Sequence, residues 1–185
     1  MISYDCGLED QKEWLHYIAG VVFKALNTKM YHNENFEGAF DMYYGVLRVP
    51  RFMPISISFQ LLDDEKGERI FMMTAALSKT VPAETTADFF ENDVIDIIEN
   101  FNDDGNIKAA RIYDINMFQV MVDFDTQVDP EICESVALNI IYSMFYMKEA
   151  RKTCTDECEE RRKWEEIDRE TKLYEAPADL TKGMS

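Results

Sequence analysis

The stretch that most constrains the fold is residues 129–150, DPEICESVALNIIYSMFYMKEA. Asp129 suits an N-cap and Pro130 suits the first helical position, so a helix is predicted to begin here. At 100° per residue, one face of this helix is apolar and carries Cys133, Val136, Ala137, Ile140, Met144 and Met147. A second apolar patch lies nearly opposite and consists of Leu138, Ile141, Tyr142 and Phe145. Because a helix that is apolar on two sides must bury both, we expect one side to pack on the chain's own sheet and the other to bind a second protein.

The chain before this helix is typical of an antiparallel sheet with helices. Residues 55–62 alternate apolar and polar side chains, as in a strand with one buried face. Residues 68–77 are apolar on both faces, which predicts a central strand or one that lies under a partner. The polar segment 27–38 is predicted to be a loop. The predicted elements are a helix over 8–27, strands over 40–49, 55–62 and 68–77, a helix from Pro82 to about Asn100, and a hairpin of strands over 107–114 and 117–125. The expected fold class is therefore α+β, in the order α-βββ-α-ββ-α, with one twisted antiparallel sheet and helices packed on it.

The composition changes after Ala150. Residues 151–175 are mostly charged, and acids stand four positions before bases, which predicts a charged C-terminal helix that supports itself. Residues 176–185 are expected to form a flexible tail. The predicted organisation is an α+β chaperone-like domain over 1–150, a charged helical extension over 151–175, and the tail.

The formal net charge is −17 at pH 7. A field of this sign repels nucleic acid and anionic membranes, so neither is an expected partner. The second predicted helix and the turn after it contain acids and no base. The acidic face comprises Glu84, Asp88, Glu91, Asp96, Glu99 and Asp103. We interpret it as a solvated face; the alternative is a docking face for a basic segment, which would imitate a phosphate backbone.

No catalytic or cofactor motif accompanies the chain's two histidines. His16 and His32 are interpreted as solvated side chains, because neither lies in a nucleophile motif and the sequence has no glycine-rich phosphate loop. Cys154 and Cys158 share a helical face, but Cys6 and His16 are the only loose candidates for two further zinc ligands. We therefore expect no enzyme activity, no cofactor and no metal.

The start of the chain lacks the basic and apolar regions of a signal peptide, and the longest apolar run is too short to span a bilayer. The four cysteines show no spacing typical of a secreted disulfide framework. These features predict a cytoplasmic protein.

The order of elements resembles the type III secretion chaperone-like fold, which includes the dimeric secretion chaperones and the related YbjN family. The stretches that carry the resemblance are 8–27, 40–77, 82–100, 107–125 and 129–150. The resemblance implies a twisted antiparallel sheet, no catalysis, the binding of protein segments through apolar patches, and a helix that helps to form a dimer.

The sequence thus predicts a non-enzymatic protein-binding module, chaperone- or regulator-like, that forms a homodimer and binds an unidentified protein segment. Its expected contact residues are the helix patch Leu138, Ile141, Tyr142 and Phe145, together with Phe52 and Met53 in a loop between two prolines. The alternative is an acidic decoy or inhibitor that occupies a basic, nucleic-acid-binding protein through the helix at 84–104. Binding that weakens steeply with salt would favour the decoy.

Overall fold

One antiparallel sheet, covered by helices on one face, forms the body of the protein. The computed structural model describes residues 7–34, 37–102, 105–114, 117–152, 158–159, 161–163, 165–166 and 174–175. The helices are α1 (Leu8–Ala25), α2 (Ala83–Phe89), α3 (Ile95–Phe101) and α4 (Pro130–Phe145). The strands are β1 (Tyr31–Asn33), β2 (Asp41–Leu47), β3 (Ile55–Asp63), β4 (Arg69–Thr80), β5 (Ile107–Asp114), β6 (Met117–Asp125) and β7 (Tyr174–Glu175). A π-helical turn, Phe90–Val94, joins α2 to α3, and a short 3-10 turn, Lys148–Ala150, follows α4. The α+β class is therefore confirmed.

The strand order across the sheet is β5-β6-β4-β3-β2-β1-β7, and every neighbouring pair is antiparallel. Strands β1, β2 and β3 each pair with the next one along the chain, and the β5–β6 hairpin lies beside β4, with β6 as its neighbour. This order gives β4 a neighbour on each side, which confirms the central position predicted for residues 68–77. Both faces of β4 are buried over most of its length.

The helices pack on one side of the sheet, which we call the covered face. Alternate strand residues point to it, and its largest fully buried side chains include Phe59, Phe71, Phe118 and Phe124. Burying a side chain of this kind stabilises the fold by about 1.5–3 kcal/mol. Helix α4 packs against both α1 and α3, and its predicted inner stripe from Cys133 to Met144 is fully buried. The Asp129 side chain accepts a hydrogen bond from the Glu131 N–H, as expected of an N-cap.

Two local predictions differ from the structure. Residues Tyr31–Asn33 form a strand inside the predicted loop, because β2 supplies hydrogen-bond partners for them. The predicted helix over 129–150 ends at Phe145, since Met147 has an extended backbone. The chain then returns to the loop before β3, where Lys152 N–H donates to the Arg51 carbonyl at 3.0 Å. Tertiary pairing therefore outweighs the local preference in both places, for a loop at residues 31–33 and for a helix after Phe145.

Most of the predicted extension over 151–175, and the whole tail over 176–185, lie outside the described residues. The described positions 158–159, 161–163 and 165–166 are helical and exposed, whereas Arg151 forms an isolated bridge with Phe52 and Tyr174–Glu175 form β7. Within the described part of the chain, no helix combines the length and apolar character needed to cross a membrane.

Candidate binding site on the open face of the sheet

The apolar patch predicted on α4 is mostly covered by the chain itself. Ile141 is fully buried, Leu138 and Phe145 are half-buried against the core, and Tyr142 is 48% exposed. The expectation that Ile141 would face water in a monomer is therefore wrong. Helices α1 and α3 both pack against α4, so they cover positions that the helical wheel assigned to a partner. The predicted homodimer remains a prediction, and this patch no longer supports it.

The loop that holds Phe52 and Met53 is tied to the chain after α4. Met53 is buried, and its N–H donates to the Ala150 carbonyl at 2.5 Å. Phe52 is half-buried and packs edge-on against Phe145, with ring centroids 5.1 Å apart. The exposure expected of Met53 is wrong, because main-chain pairing with residues 150–152 turns its side chain inward.

The opposite side of the sheet, which we call the open face, carries a groove of about 860 Å³. It is formed mainly by β2 and β3, with the connection after α1 at its rim. Strand alternation places Met42, Tyr44 and Val46 on the open face and Tyr43, Gly45 and Leu47 on the covered face. Apart from two bases at the rim, the groove is lined mainly by apolar or aromatic side chains (Tyr31, Met42, Tyr44, Val46) and uncharged polar ones (Ser56, Ser58, Thr74, Gln119). A volume of this size lies within the range of ligand sites in proteins.

The end of α1 positions the rim of the groove. Asn27 adopts a left-handed conformation with φ of 51°, and the Thr28 N–H donates to the Phe23 carbonyl at 3.0 Å, which closes the helix and redirects the chain. The redirected backbone crosses β2 at Gly45, where an added Cβ would lie 2.5 Å from the Lys29 carbonyl oxygen. Glycine at this position therefore permits the close approach that brings Lys29 to the rim.

The charge of the groove is opposite to that of the protein. Among the described residues that line it, Lys29 and Arg48 are the charged ones, and no acid is present. The Lys29 ammonium lies 5.5 Å from the centroid of the Tyr31 ring, which in turn stacks on Tyr44 at 5.8 Å. Burial, and then the neighbouring Tyr31, raise the pKa of Tyr44, so its hydroxyl is neutral at physiological pH. An anionic, partly apolar occupant matches this lining.

Directly beneath the groove, on the covered face, the two histidines meet a single tyrosine. The Tyr43 ring stacks on His32 with centroids 4.3 Å apart and on His16 at 4.9 Å, and the planes are within 6° and 2° of parallel. His32 Nε2 lies 2.5 Å from Oδ1 of the buried Asp41. We call these four residues the histidine stack.

The interpretation of both histidines as solvated is wrong. The His32 side chain is 10% exposed, and His16 Nε2 is buried without a hydrogen-bond partner among the described residues. Burial lowers the pKa of His16, and the nearby His32 lowers it further, while Asp41 opposes the shift. His16 is therefore held in its neutral form at physiological pH.

The acidic face is exposed wherever the structure describes it. Glu84, Asp88, Glu91, Asp96 and Glu99 are exposed, and none forms an ion pair with a described residue; Asp103 lies outside the described part. Partial burial and the carboxylate of Asp96 raise the pKa of the neighbouring Asp93. The arrangement agrees with a solvated face and also leaves the carboxylates accessible.

The cysteines give no metal centre within the described residues. Cys158 is exposed, Cys133 is buried in the core, and burial raises the pKa of the Cys133 thiol, so it is inert. Cys6 and Cys154 lie outside the described part of the chain. Where the structure describes the chain, it contains no group of three or more metal-ligating side chains.

Sequence reasoning missed both the groove and the histidine stack, although residues 41–47 held a signal. Large apolar side chains occur in both alternating sets of this strand, which indicates a strand that meets something on each face. Comparison of the chain with protein-family models, with curated proteins and with solved structures found no significant match, so the resemblance to the secretion-chaperone-like fold remains a prediction.

Proposed function

We propose that the protein binds an extended, acidic protein segment in the groove of the open face and performs no catalysis. The observation that carries this proposal is the lining itself: aromatic and apolar side chains with Lys29 and Arg48 at the rim, in a chain of net charge −17. The arrangement agrees with a chaperone- or regulator-like role, and the order of elements that resembles the secretion chaperones supports it.

The lining suits a peptide main chain as well as side chains. Ser56, Ser58 and Thr74 present hydroxyl groups, and Gln119 presents an amide, along the floor of the groove. These groups can donate to or accept from an extended backbone, while Met42, Tyr44 and Val46 contact apolar side chains. A carboxylate on the segment would be attracted to the positive charge of Lys29 and Arg48 at the rim.

Two short fluorescein-labelled peptides test the occupant. One alternates leucine with glutamate, and the other alternates leucine with lysine. The net charge of the protein favours the lysine peptide, whereas the groove favours the glutamate peptide, because long-range repulsion is screened beyond about 8 Å at physiological salt. We expect fluorescence anisotropy to show a dissociation constant below about 1 mM for the glutamate peptide and weaker binding of the lysine peptide.

Charge reversal locates the binding. Arg48→Glu should weaken binding of the glutamate peptide by about tenfold, whereas Lys24→Glu, an equal charge change on an exposed base of α1 outside the groove, should leave it unchanged. Equal effects of the two variants would contradict groove binding. Failure of the glutamate peptide with capture of an uncharged dye would assign the groove to a small apolar molecule instead.

The acidic face supports a second candidate function, the decoy that occupies a basic protein. The five described carboxylates of the acidic face, Glu84, Asp88, Glu91, Asp96 and Glu99, are exposed, as such a surface requires. Binding of a polylysine peptide that falls steeply between low and physiological salt, and that is lost when Asp88, Glu91 and Glu99 are replaced by their amides, would favour this function.

A further inference from the structure

The segment Lys29–Asn33 has one side in the groove and the other in the histidine stack. On the open face, Tyr31 pairs with Tyr44 across β1 and β2 and forms part of the groove wall. On the covered face, His32 pairs with Tyr43 and contacts Asp41. Strand β1 has three residues and pairs with β2 on one side and with β7 on the other. The His32 side chain adds contacts with Tyr43 and Asp41 to the short ladder on β2.

His16 is the member of this cluster whose buried Nε2 has no hydrogen-bond partner among the described residues. The titratable groups that face it are His32 on β1 and both Asp41 and Tyr43 on β2. On its own helix, the nearest charged side chains are Lys12 and Glu13, one turn away, and Lys12 lies 3.8 Å from Glu9. Burial and the neighbouring His32 disfavour a proton on His16, and Asp41 is the one carboxylate in the stack that favours it.

Resting on the proposed binding role, we infer that the histidine stack is an acid-sensitive latch. Protonation of His16 loosens β1 from β2, and the groove then binds the acidic protein segment more weakly. The form in which β1 is paired with β2 has its full stability above about pH 6.5 and loses stability as the pH falls below that value. The reason is that His16 binds a proton more tightly when β1 is loosened than when it is paired. Since Lys29 and Tyr31 belong to the loosened segment, the groove loses one of its two basic side chains and one aromatic wall together.

Hydrogen exchange of the full chain tests the latch without any ligand. We expect the amides of Tyr31–Asn33 to exchange at least about fivefold faster at pH 5.5 than at pH 7.5, after correction for the intrinsic rate, while those of β3 remain protected. His16→Phe keeps a flat ring on Tyr43 but cannot be protonated, so its exchange should not depend on pH in this range. His16→Gln provides a second variant without a titrating ring.

The glutamate peptide provides the second measurement. Its affinity should fall by at least about fivefold between pH 7.5 and 5.5 in the wild type and remain constant in His16→Phe. Exchange at β1 that is independent of pH, or that responds equally in His16→Phe, overturns the latch whatever the peptide does. If exchange at β1 is acid-dependent but the glutamate peptide binds at neither pH, the latch is supported and the proposed acidic ligand of the groove is contradicted.

Discussion

The two faces of the sheet are built from the same strands and are covered in different ways. On the covered face, phenylalanines and aliphatic side chains pack under α1, α4 and the α2–α3 segment into one continuous core. On the open face, the buried apolar residues form a small cluster of Ile70, Met72 and Met121, beside which Arg111 pairs with Asp123. The groove occupies the other half of that face.

This difference shows that an apolar strand face is not always a face that the chain's own core covers. The covered face has fully buried aromatic and aliphatic side chains, as expected of a surface that is excluded from water. The open face has tyrosine, methionine and hydroxyl side chains, which tolerate both water and a partner. Such a face is suited to reversible binding of a partner.

The largest effect is expected where the sequence predicted a partner surface on α4. Ile141→Glu places a charge in the core and should destabilise the protein by about 4–5 kcal/mol, whereas Tyr142→Glu, the next residue, should change stability by about 0.5 kcal/mol or less. Urea unfolding followed by far-UV circular dichroism measures both. A stable, monomeric Ile141→Glu variant would contradict the burial of this side chain and restore the interpretation of α4 as a partner surface.

Truncation of one large side chain on each face compares the faces directly. Phe59→Ala should cost about 3–5 kcal/mol, because it leaves a cavity in the covered core. Tyr44→Ser should cost less than about 1 kcal/mol, because this side chain is half-buried at the groove. Similar losses of unfolding free energy would mean that the open face is as tightly covered as the other.

A smaller effect is expected at the point where the backbone crosses β2. Gly45→Ala sets a methyl group against the Lys29 carbonyl and should cost about 1–3 kcal/mol, since the neighbour is main chain and cannot rotate away. Val46→Ala, one residue along on the open face, should cost about 1 kcal/mol or less. Equal melting temperatures for the two variants would show that the crossing tolerates a side chain.

The smallest effect concerns the outer surface of the helices. Replacing Asp88, Glu91 and Glu99 together by their amides should leave stability unchanged or raise it by about 0.5 kcal/mol, because like charges on one helix repel. A clear fall in melting temperature would reveal structural partners for these carboxylates.

The strands could be predicted from the sequence because their signals are local. The alternation in residues 55–62 and the turn before Ile107 place β3, β5 and β6 correctly, and Asp129 with Pro130 marks the start of α4. Strand β1 was missed, since three residues show no periodicity and their partners lie on β2. The helical wheel of α4 shows which side chains share a face, but it cannot show that two helices pack against it, and so Ile141 was misplaced.

The candidate site was harder to predict because its parts come from separate elements. His16, His32 and Asp41 are on α1, β1 and β2, and only the folded chain brings them to one tyrosine. The groove likewise combines the end of α1 with two strands. Neither the groove nor the histidine stack has a sequence motif with fixed spacing. The one signal in the sequence was that β2 is apolar on both faces.

The strand order has a consequence for how the chain reaches this structure. Among strands β1 to β6, each ladder joins neighbours in the sequence except the one between β4 and β6, which places Ala75 opposite Val120. Within these six strands, the entropy of closing a long loop is therefore concentrated in a single ladder, whereas the hairpins close over short turns. Substitutions in the β4–β6 ladder should therefore slow folding more than equally destabilising ones within the β2–β3 hairpin.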